Sequence, residues 1–250
     1  MTSRGRVAGL HRWPVKSLAG ESLHSADVGP DGLAGDRVHA FLDVEGARAG
    51  KLLTARQAPG LLAWTAGYPD HPDDALPHDA VPPAEVRAPG GGRWRWGDEG
   101  LAAAVAEAAG RPVTLRRDPS GQPDCPGLIL VTVEASRRAA EAELGAPLDL
   151  RRFRSNVHLE LDAPAFAEEQ WTGAELRVGD GLHLCVSAPC RRCAMPSWDP
   201  DGAVRWPALL EWLVRDHANV FGVYVRVDKP GVVKVGDPVE VVAVSPAPPG

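Results

Sequence analysis

The most reactive side chains of this sequence are two thiols and two guanidinium groups in the run Cys190-Arg191-Arg192-Cys193. A thiol beside fixed positive charge favours the thiolate, which attacks electrophiles and binds soft metals. The run lies in residues 188–202, after a predicted strand at 181–187 and ending in the turn-forming Asp199-Pro200-Asp201-Gly202. We therefore expect residues 188–202, named the cysteine loop, to be the centre of the protein's chemistry.

Three interpretations of these cysteines are open. In the first, one thiolate beside Arg191 or Arg192 is a metal ligand or a nucleophile. In the second, zinc is bound by His183, Cys185, Cys190 and Cys193, since the Cys-x-x-Cys spacing is typical of zinc sites. Two adjacent arginines would, however, repel a dication. In the third, Cys185 and Cys190 are small core residues, as free cysteines often are. For Cys193 we favour a functional role, because a residue in a turn is not expected to pack in a hydrophobic core.

Arginines are crowded at 151–154, directly before a predicted strand at 157–161. Alternation along the chain would turn Arg152, Arg154 and Asn156 to one side and Phe153 to the other. Further donors stand in loops or at strand ends earlier in the chain: Lys16, Ser17, Arg37 and Arg56. Clustered cations with hydroxyl and amide donors are what a phosphate or another anion needs, whereas solvated surface charge is the alternative for any single arginine.

A pair of carboxylates, Glu168 and Glu169, precedes Trp171 and could suggest acid–base work. Helix capping or surface charge is the simpler interpretation of this pair, and we expect that outcome.

Composition narrows the class of protein. The 250 residues carry a formal net charge of −6, which argues against nucleic-acid partners but allows a local basic pocket. No apolar run approaches the length that spans a bilayer, and the N-terminus lacks the apolar core of a secretory signal. Four cysteines are too few for a disulfide scaffold. We therefore expect a cytoplasmic protein without a membrane partner.

Short strands and tight turns dominate the predicted secondary structure, with turn signals about every ten residues. Strands are predicted at 38–43, 61–66, 128–133 and 221–227 among others. Helices are predicted at 99–109, capped by Asp98, over about ten residues after Glu134, and at 206–216. Strict alternation of strand and helix is missing and no nucleotide-binding glycine motif is present, so the pattern favours a β-rich α+β fold.

Taken together, motifs spread along nearly the whole chain resemble the MOSC superfamily, and within it the mitochondrial amidoxime-reducing component and its bacterial counterparts. The motifs are Trp13-Pro-Val-Lys-Ser17, Gly32-Leu-Ala-Gly-Asp-Arg37, Leu53-Thr-Ala-Arg56, Arg152-Phe-Arg-Ser-Asn156, Glu168-Glu-Gln-Trp171, Arg192-Cys193 with Asp199-Pro200, Phe221-Gly-Val-Tyr224, and residues 231–238. Each motif alone is only weakly specific for the family, but their occurrence in the same order as in the family is strongly specific.

The resemblance implies a fold and a set of site residues. An N-terminal MOSC-associated β-barrel domain (1–120) would pack with a MOSC-type β-barrel domain (121–245), with a few short helices. Cys193 would be the catalytic residue and the ligand of molybdenum in a molybdenum cofactor (molybdopterin), and Tyr224 would lie near the metal. The remaining candidates to hold the pterin and its phosphate are Lys16, Ser17, Arg37, Arg56, Ser136, Arg154, Asn156 and Arg192.

The sequence departs from the family pattern in places. Ala194-Met-Pro-Ser197 stands where relatives carry threonine-rich sequence, and Arg154-Ser155-Asn156 where they carry Arg-Pro-Asn. The MOSC superfamily is named for the C-terminal domain of molybdenum cofactor sulfurase. The pyridoxal-phosphate-dependent desulfurase portion of that sulfurase has no counterpart in these residues, so pyridoxal phosphate binding is not expected. The cysteine set of a 2Fe–2S ferredoxin domain has no counterpart either.

The function implied by the resemblance is that of an oxidoreductase that reduces small N-hydroxylated or other N-oxygenated substrates. Its electrons would come from a separate donor protein of the ferredoxin or flavin reductase type. Two alternatives stay open: a sulfur carrier or transferase that uses a persulfide on Cys193, and a non-catalytic cofactor-binding protein.

Overall fold

The centre of the fold is a closed β-barrel whose strands come from both ends of the chain. The structure is a computed structural model that describes residues 2–69, 76, 78, 80–118, 127–202 and 204–242. Among these residues no helix is long and apolar enough to cross a membrane. The strands are β1 (Thr2–Arg12), β2 (Glu21–Leu23), β3 (Ser25–Gly29), β4 (Gly32–Leu33), β5 (His39–Asp43), β6 (Leu52–Leu53), β7 (Thr65–Gly67), β8 (Glu85–Arg87), β9 (Arg93–Arg95), β10 (Val113–Arg117), β11 (Ile129–Val133), β12 (Val157–Leu161), β13 (Glu175–Val178), β14 (Leu182–Arg191), β15 (Val220–Lys229), β16 (Gly231–Lys234) and β17 (Pro238–Val242).

Helices are few. The α-helices are α1 (Leu101–Ala109), α2 (Glu134–Leu144) and α3 (Pro207–Asp216), and the 3₁₀ helices are Gly46–Arg48, Pro59–Ala63, Leu150–Arg152, Ala167–Gln170 and Met195–Ser197.

Seven strands close the barrel in the order β12-β11-β15-β14-β13-β17-β1, and a pairing between β12 and β1 completes the ring. Neighbours are antiparallel except β11 and β12, which run parallel and are joined through α2. The first strand pairs on both sides, so that Gly5 lies opposite both Leu161 and Val239. The inward-facing side chains, among them Val7, Leu159 and Val225, form one continuous apolar core.

A second core lies in the N-terminal half of the chain. The sheet β10-β5-β6, the sheet β7-β8-β9 and α1 surround buried side chains such as Phe41, Leu53, Trp96 and Leu101. A smaller sheet, β16-β3-β4, joins residues near the start of the chain to residues near its end. Residues from the two ends of the chain therefore share one sheet.

A third cluster covers one side of the barrel and fixes the segment that precedes β12. Phe153 and Phe221 stack with their ring centroids 3.9 Å apart, and Leu209, Trp212 and Leu213 of α3 pack around them. Because Phe153 is immobilised in this way, the residues that follow it are held in place at the barrel's edge.

The predicted β-rich α+β class is confirmed: a closed seven-stranded barrel with three α-helices among the described residues. The predicted boundary between residues 120 and 121 lies outside the described residues.

Four local predictions of secondary structure are wrong. Residues 59–63 form a 3₁₀ helix before the short strand β7, because Pro59 occupies its first turn and both Leu61 and Leu62 are buried.

The remaining differences concern helix and strand boundaries. Asp98 does not cap α1, whose N-cap is Gly100; its carboxylate accepts from the Arg95 amide instead. Strand β14 continues past residue 187 to Arg191, because bulges let its pairing with β15 resume around Pro189. Residues 150–152 form a 3₁₀ turn and Arg154 has a φ of 55°, so the predicted alternation from Arg152 to Asn156 does not occur.

Gly222 in β15 supplies a test of the barrel's packing. Its φ is +76°, and a Cβ atom there would lie 2.5 Å from the Val131 carbonyl oxygen in the neighbouring strand. We expect Gly222→Ala to lower the free energy of unfolding by about 3 kcal/mol, since strain and a backbone clash add.

The matched control is Gly46→Ala, because Gly46 has a similar φ of +69° and no atom within 4 Å of the place that an added Cβ would take. Strain alone costs about 1 kcal/mol there. Urea unfolding of both variants gives the comparison, and equal losses would contradict the role assigned to the close approach of β15 and β11.

Candidate functional site

A cavity of about 240 Å³ lies where the cysteine loop meets the N-terminal half of the chain. It brings together Cys193 and all but one of the predicted cofactor-binding residues: Lys16, Ser17, Arg37, Arg56, Arg154, Asn156, Arg192 and Tyr224. Six further lining residues were not predicted as site residues: Thr54, Leu128, Leu130, Phe153, Arg191 and Met195. Residues that are distant in the sequence thus form one cationic cavity with an apolar wall.

Backbone strain is concentrated in this cavity. Among the described non-glycine residues, positive φ values occur at six positions, and three of them line the cavity: Ser17 (72°), Arg37 (53°) and Arg154 (55°). Such conformations persist only where the surrounding structure enforces them, and they cluster at binding sites.

The Arg154 side chain lies at the buried end of the cavity. Its Nη1 donates to the Leu18 carbonyl oxygen at 2.7 Å, and its guanidinium lies 4.2 Å from the centre of the Trp13 ring. Its Nη2 is buried and has no hydrogen-bond partner. Burial, with the nearby charges of Arg37 and Arg192, lowers the pKa of Arg154 to about 9. An anion in the cavity would satisfy the free donor and stabilise the charge.

Arg37 connects Arg154 to Asn156. Its Nη2 donates to the Arg154 carbonyl oxygen at 2.9 Å, its Nη1 donates to Asn156 Oδ1 at 3.3 Å, and the same Nη1 pairs with Asp36. Asn156 Oδ1 also accepts from the Leu130 amide at 3.2 Å. The two halves of the chain are therefore joined at the wall of the cavity by hydrogen bonds.

Arg192 is held by the residues around the cysteine loop. Its Nη2 donates to the Phe153 carbonyl oxygen at 2.7 Å, and its Nη1 donates to Cys190 Sγ at 2.9 Å. The Asn219 side chain donates to the Arg192 carbonyl oxygen at 2.6 Å and so fixes the backbone beside Cys193. The Nε atom of Arg192 is buried without a partner, which makes it a second unsatisfied donor at the cavity.

The three described cysteines are all free and have different environments. Cys193 is exposed in the cavity, just after β14 ends. Cys190 is buried, as the core interpretation predicted, but Cys185 is exposed, so that interpretation is wrong for Cys185. Cys185 faces outward because it alternates with the inward-facing Leu184 and Val186 along the strand.

The zinc interpretation finds no support. Within the described part of the chain, no group of three or more His, Cys, Asp or Glu side chains is arranged to hold a metal ion. His183 instead pairs with Glu175, its Nδ1 lying 2.7 Å from Oε1.

The loops on the N-terminal side of the cavity are tied to each other. Ser17 Oγ accepts from the Ala55 amide at 3.0 Å, which connects the turn carrying Lys16 to the turn carrying Arg56. Arg56 is exposed, and its Nε donates to Thr54 Oγ1 at 3.4 Å.

Ser136 does not reach the cavity. Its hydroxyl is buried in α2, where it donates to Glu168 Oε2 at 2.8 Å and accepts from the Phe166 amide at 2.8 Å. Arg152 is also turned away and donates to the Trp198 carbonyl oxygen at 2.7 Å. These contacts are made between segments far apart in sequence, which no local pattern could indicate.

Glu168 is buried, contrary to the expected capping or surface role. Burial raises the pKa of its carboxyl group to about 7, although the hydrogen bond from Ser136 opposes the shift. Glu169, its neighbour, lies close to His217, with Oε1 3.6 Å from Nδ1. Neither carboxylate lines the cavity, so the pair supports the structure around Ser136 and does not take part in the site.

Comparison with known proteins agrees with the architecture. Residues 4–88 match the MOSC N-terminal beta barrel domain and residues 117–240 match the MOSC domain. The crystal structure of the YUAD protein from Bacillus subtilis is similar with a TM-score of 0.50 and 14% identity, over 98% of each chain, which is a likeness of fold alone.

The chain shares sequence with several curated proteins, among them two amidoxime reducing components. Mitochondrial amidoxime reducing component 2 of Bos taurus is 30% identical over 130 residues, which is 47% of this chain and 37% of that protein. The match therefore spans less than two fifths of that relative's own length. The protein of the same name from Macaca fascicularis is 26% identical over 283 residues, covering 94% of this chain and 83% of that protein.

Glu168 supplies a prediction about pH. Because its pKa is raised from 4.5 to about 7, the folded chain keeps a proton in this window that the unfolded chain has lost. The free energy of unfolding should therefore fall as pH rises from about 4.5 to about 7, by about 3 kcal/mol from this group. Glu168→Gln should remove that part of the slope.

Urea unfolding across this pH range measures the effect. Glu99→Gln, which changes an exposed carboxylate, is the control and should leave the slope as it is in the unmodified chain. An unchanged slope in Glu168→Gln would contradict the assignment of the raised pKa to this carboxyl group.

Proposed function

Because this chain belongs to the MOSC family, we propose that it is a molybdenum-cofactor-dependent oxidoreductase that reduces N-hydroxylated or other N-oxygenated small molecules. The names of the curated relatives, amidoxime reducing components, support the reaction class. The proposal places the reaction in the cavity of about 240 Å³ that contains Cys193.

The observation that carries the proposal is the composition of that cavity. An exposed thiol, Cys193, shares it with buried guanidinium donors that have no partner, Arg154 Nη2 and Arg192 Nε. Of the described residues, none that lines the cavity is acidic. A soft sulfur ligand beside unsatisfied cationic donors fits a metal group that carries an anionic phosphate.

The residues present fit the cofactor in the following way. Cys193 would ligate the molybdenum, and Tyr224 would lie near it. The phosphate and the pterin would be held by Lys16, Ser17, Arg37, Arg56, Arg154, Asn156 and Arg192. Ser136 is left out of this set, because its hydroxyl is already engaged by Glu168 and the Phe166 amide. When bound, the cofactor would supply a redox metal that can take the oxygen of an N–O group.

The chain's own contribution is binding and orientation. Asn219 and the Phe153 carbonyl oxygen fix Arg192 and with it the backbone of Cys193. Leu128, Leu130 and Met195 give the cavity an apolar wall against which the body of a substrate can pack. Rigid placement of this kind lowers the entropic cost of bringing reacting groups together.

Electrons would come from another protein. A 2Fe–2S cluster of the ferredoxin type needs four cysteine ligands. Among the described residues, Cys190 is buried against Arg192 and Cys185 lies on the outer face of β14. We propose a separate donor of the ferredoxin or flavin reductase type. A reducing, cytoplasmic setting is proposed as well, on the ground that the described cysteines are free.

Metal content tests the proposal. Protein made in a host that synthesises the cofactor should contain about one molybdenum per chain, and Cys193→Ser should lose it because the sulfur ligand is gone. Cys185→Ser is the matched control: it removes an exposed thiol of the same chain outside the cavity, and its molybdenum content should equal that of the unmodified protein.

Activity provides the second part of the test. With a chemical electron donor, the unmodified protein and Cys185→Ser should reduce benzamidoxime, whereas Cys193→Ser should fall to background. Molybdenum without reduction would indicate a cofactor-binding protein instead. Metal-free protein with cyanide-labile sulfur on Cys193 would indicate a sulfur carrier, and either result overturns the proposal.

A further inference from the structure

Many arginines of this chain form ion pairs with carboxylates, whereas four of the five arginines that line the cavity form none with the described residues. Ion pairs with Asp or Glu are formed, for example, by Arg4, Arg6, Arg87, Arg137 and Arg215. Arg56, Arg154, Arg191 and Arg192 form none with the described residues, although acidic residues outnumber basic ones in the chain (33 against 27). The cavity is therefore a local surplus of positive charge in an acidic protein.

Three of these four arginines already have a role in the proposed cofactor site. Arg154 and Arg192 are tied to backbone carbonyl oxygens, and Arg56 lies in the turn connected to Ser17. The phosphate of the cofactor would bring about two negative charges. The other cavity arginines that form no ion pair with the described residues (Arg56, Arg154 and Arg192) exceed that number, even when Arg37 is left out because it pairs with Asp36. Arg191 is thus not needed to balance the cofactor.

Arg191 differs from the others in its surroundings. It is the last residue of β14, two positions before Cys193, and it lines the cavity with an exposed side chain. Its neighbour Cys190 faces the interior, so Arg191 faces outward by the alternation of the strand. No hydrogen bond or ion pair within the described residues engages its guanidinium, whose fork matches a carboxylate in a bidentate manner.

We propose that Arg191 is a specificity-determining residue that binds the carboxylate of an anionic ligand approaching Cys193. Under the proposed reductase function, on which the nature of the ligand rests, this ligand is an N-hydroxylated compound that carries a carboxylate. The apolar wall of Leu128, Leu130 and Met195 receives the body of the ligand, and Arg191 receives its charged end.

The first test measures the field at Cys193 without any cofactor. The protein is made in a host that lacks the cofactor and is alkylated with iodoacetate, a small carboxylate, and with neutral iodoacetamide. Both reagents attack the same thiolate, so the ratio of their rates cancels the thiolate fraction and reports attraction of the anion. Peptide mapping gives this ratio separately for Cys193 and for Cys185, which is an internal control outside the cavity.

Arg191→Gln should lower the iodoacetate-to-iodoacetamide ratio at Cys193 by roughly two- to fivefold, as expected for losing one charge near a protein surface. Arg191→Lys should retain much of the ratio. The matched control is Arg226→Gln, which removes an exposed arginine paired across the strands with Cys185 and should change the ratio only at Cys185. An unchanged ratio at Cys193 in Arg191→Gln overturns the proposal.

The second test uses the cofactor-loaded protein. Arg191→Gln should raise the ratio of the KM for a benzamidoxime that bears a para-carboxylate to the KM for uncharged benzamidoxime by roughly two- to fivefold. Equal changes for both compounds overturn the proposal. If neither compound is reduced while the alkylation ratio still falls, the reductase function fails and the anion-binding role of Arg191 stands.

Discussion

Hydrogen bonds between residues 154–156 and the start of the chain are the interaction on which the cavity depends. The Trp13 indole donates to the Ser155 carbonyl oxygen at 3.1 Å, the His11 amide donates to the Asn156 carbonyl oxygen at 2.8 Å, and Arg154 donates to Leu18. Together with the bonds that Arg37 donates to Arg154 and Asn156, they hold the loops of the N-terminal half beside the cysteine loop. The strained backbone of Arg154 is stable because contacts from both sides of the chain enforce it.

The charge of the cavity has a cost that the rest of the fold offsets. A buried guanidinium without a counterion is unfavourable, and the lowered pKa of Arg154 expresses that cost. The ring of Trp13 and the carbonyl oxygen of Leu18, which accepts from Nη1, compensate in part. The stack of Phe153 on Phe221, in the cluster that covers one side of the barrel, fixes the backbone next to Arg154.

Sequence patterns predicted the site better than the geometry that forms it. The β-rich class and the convergence of Cys193 with Arg37, Arg154 and Asn156 could be predicted, because each belongs to a local motif and the motifs occur in a shared order. The extension of β14 to Arg191 could not, since it depends on bulged pairing with a strand about 35 residues away. The predictions for Ser136 and Glu168 also failed because of a contact between distant parts of the chain. The two side chains are hydrogen-bonded to each other across 32 residues of sequence.

The double pairing of β1 has a consequence for how the protein folds. Residues at the start of the chain are hydrogen-bonded to residues 157–161 and 238–242, so the barrel has a high contact order and closes slowly. During synthesis the first strand has no partner on its second side until β17 has left the ribosome. Chaperone protection of this strand would therefore matter most before that moment.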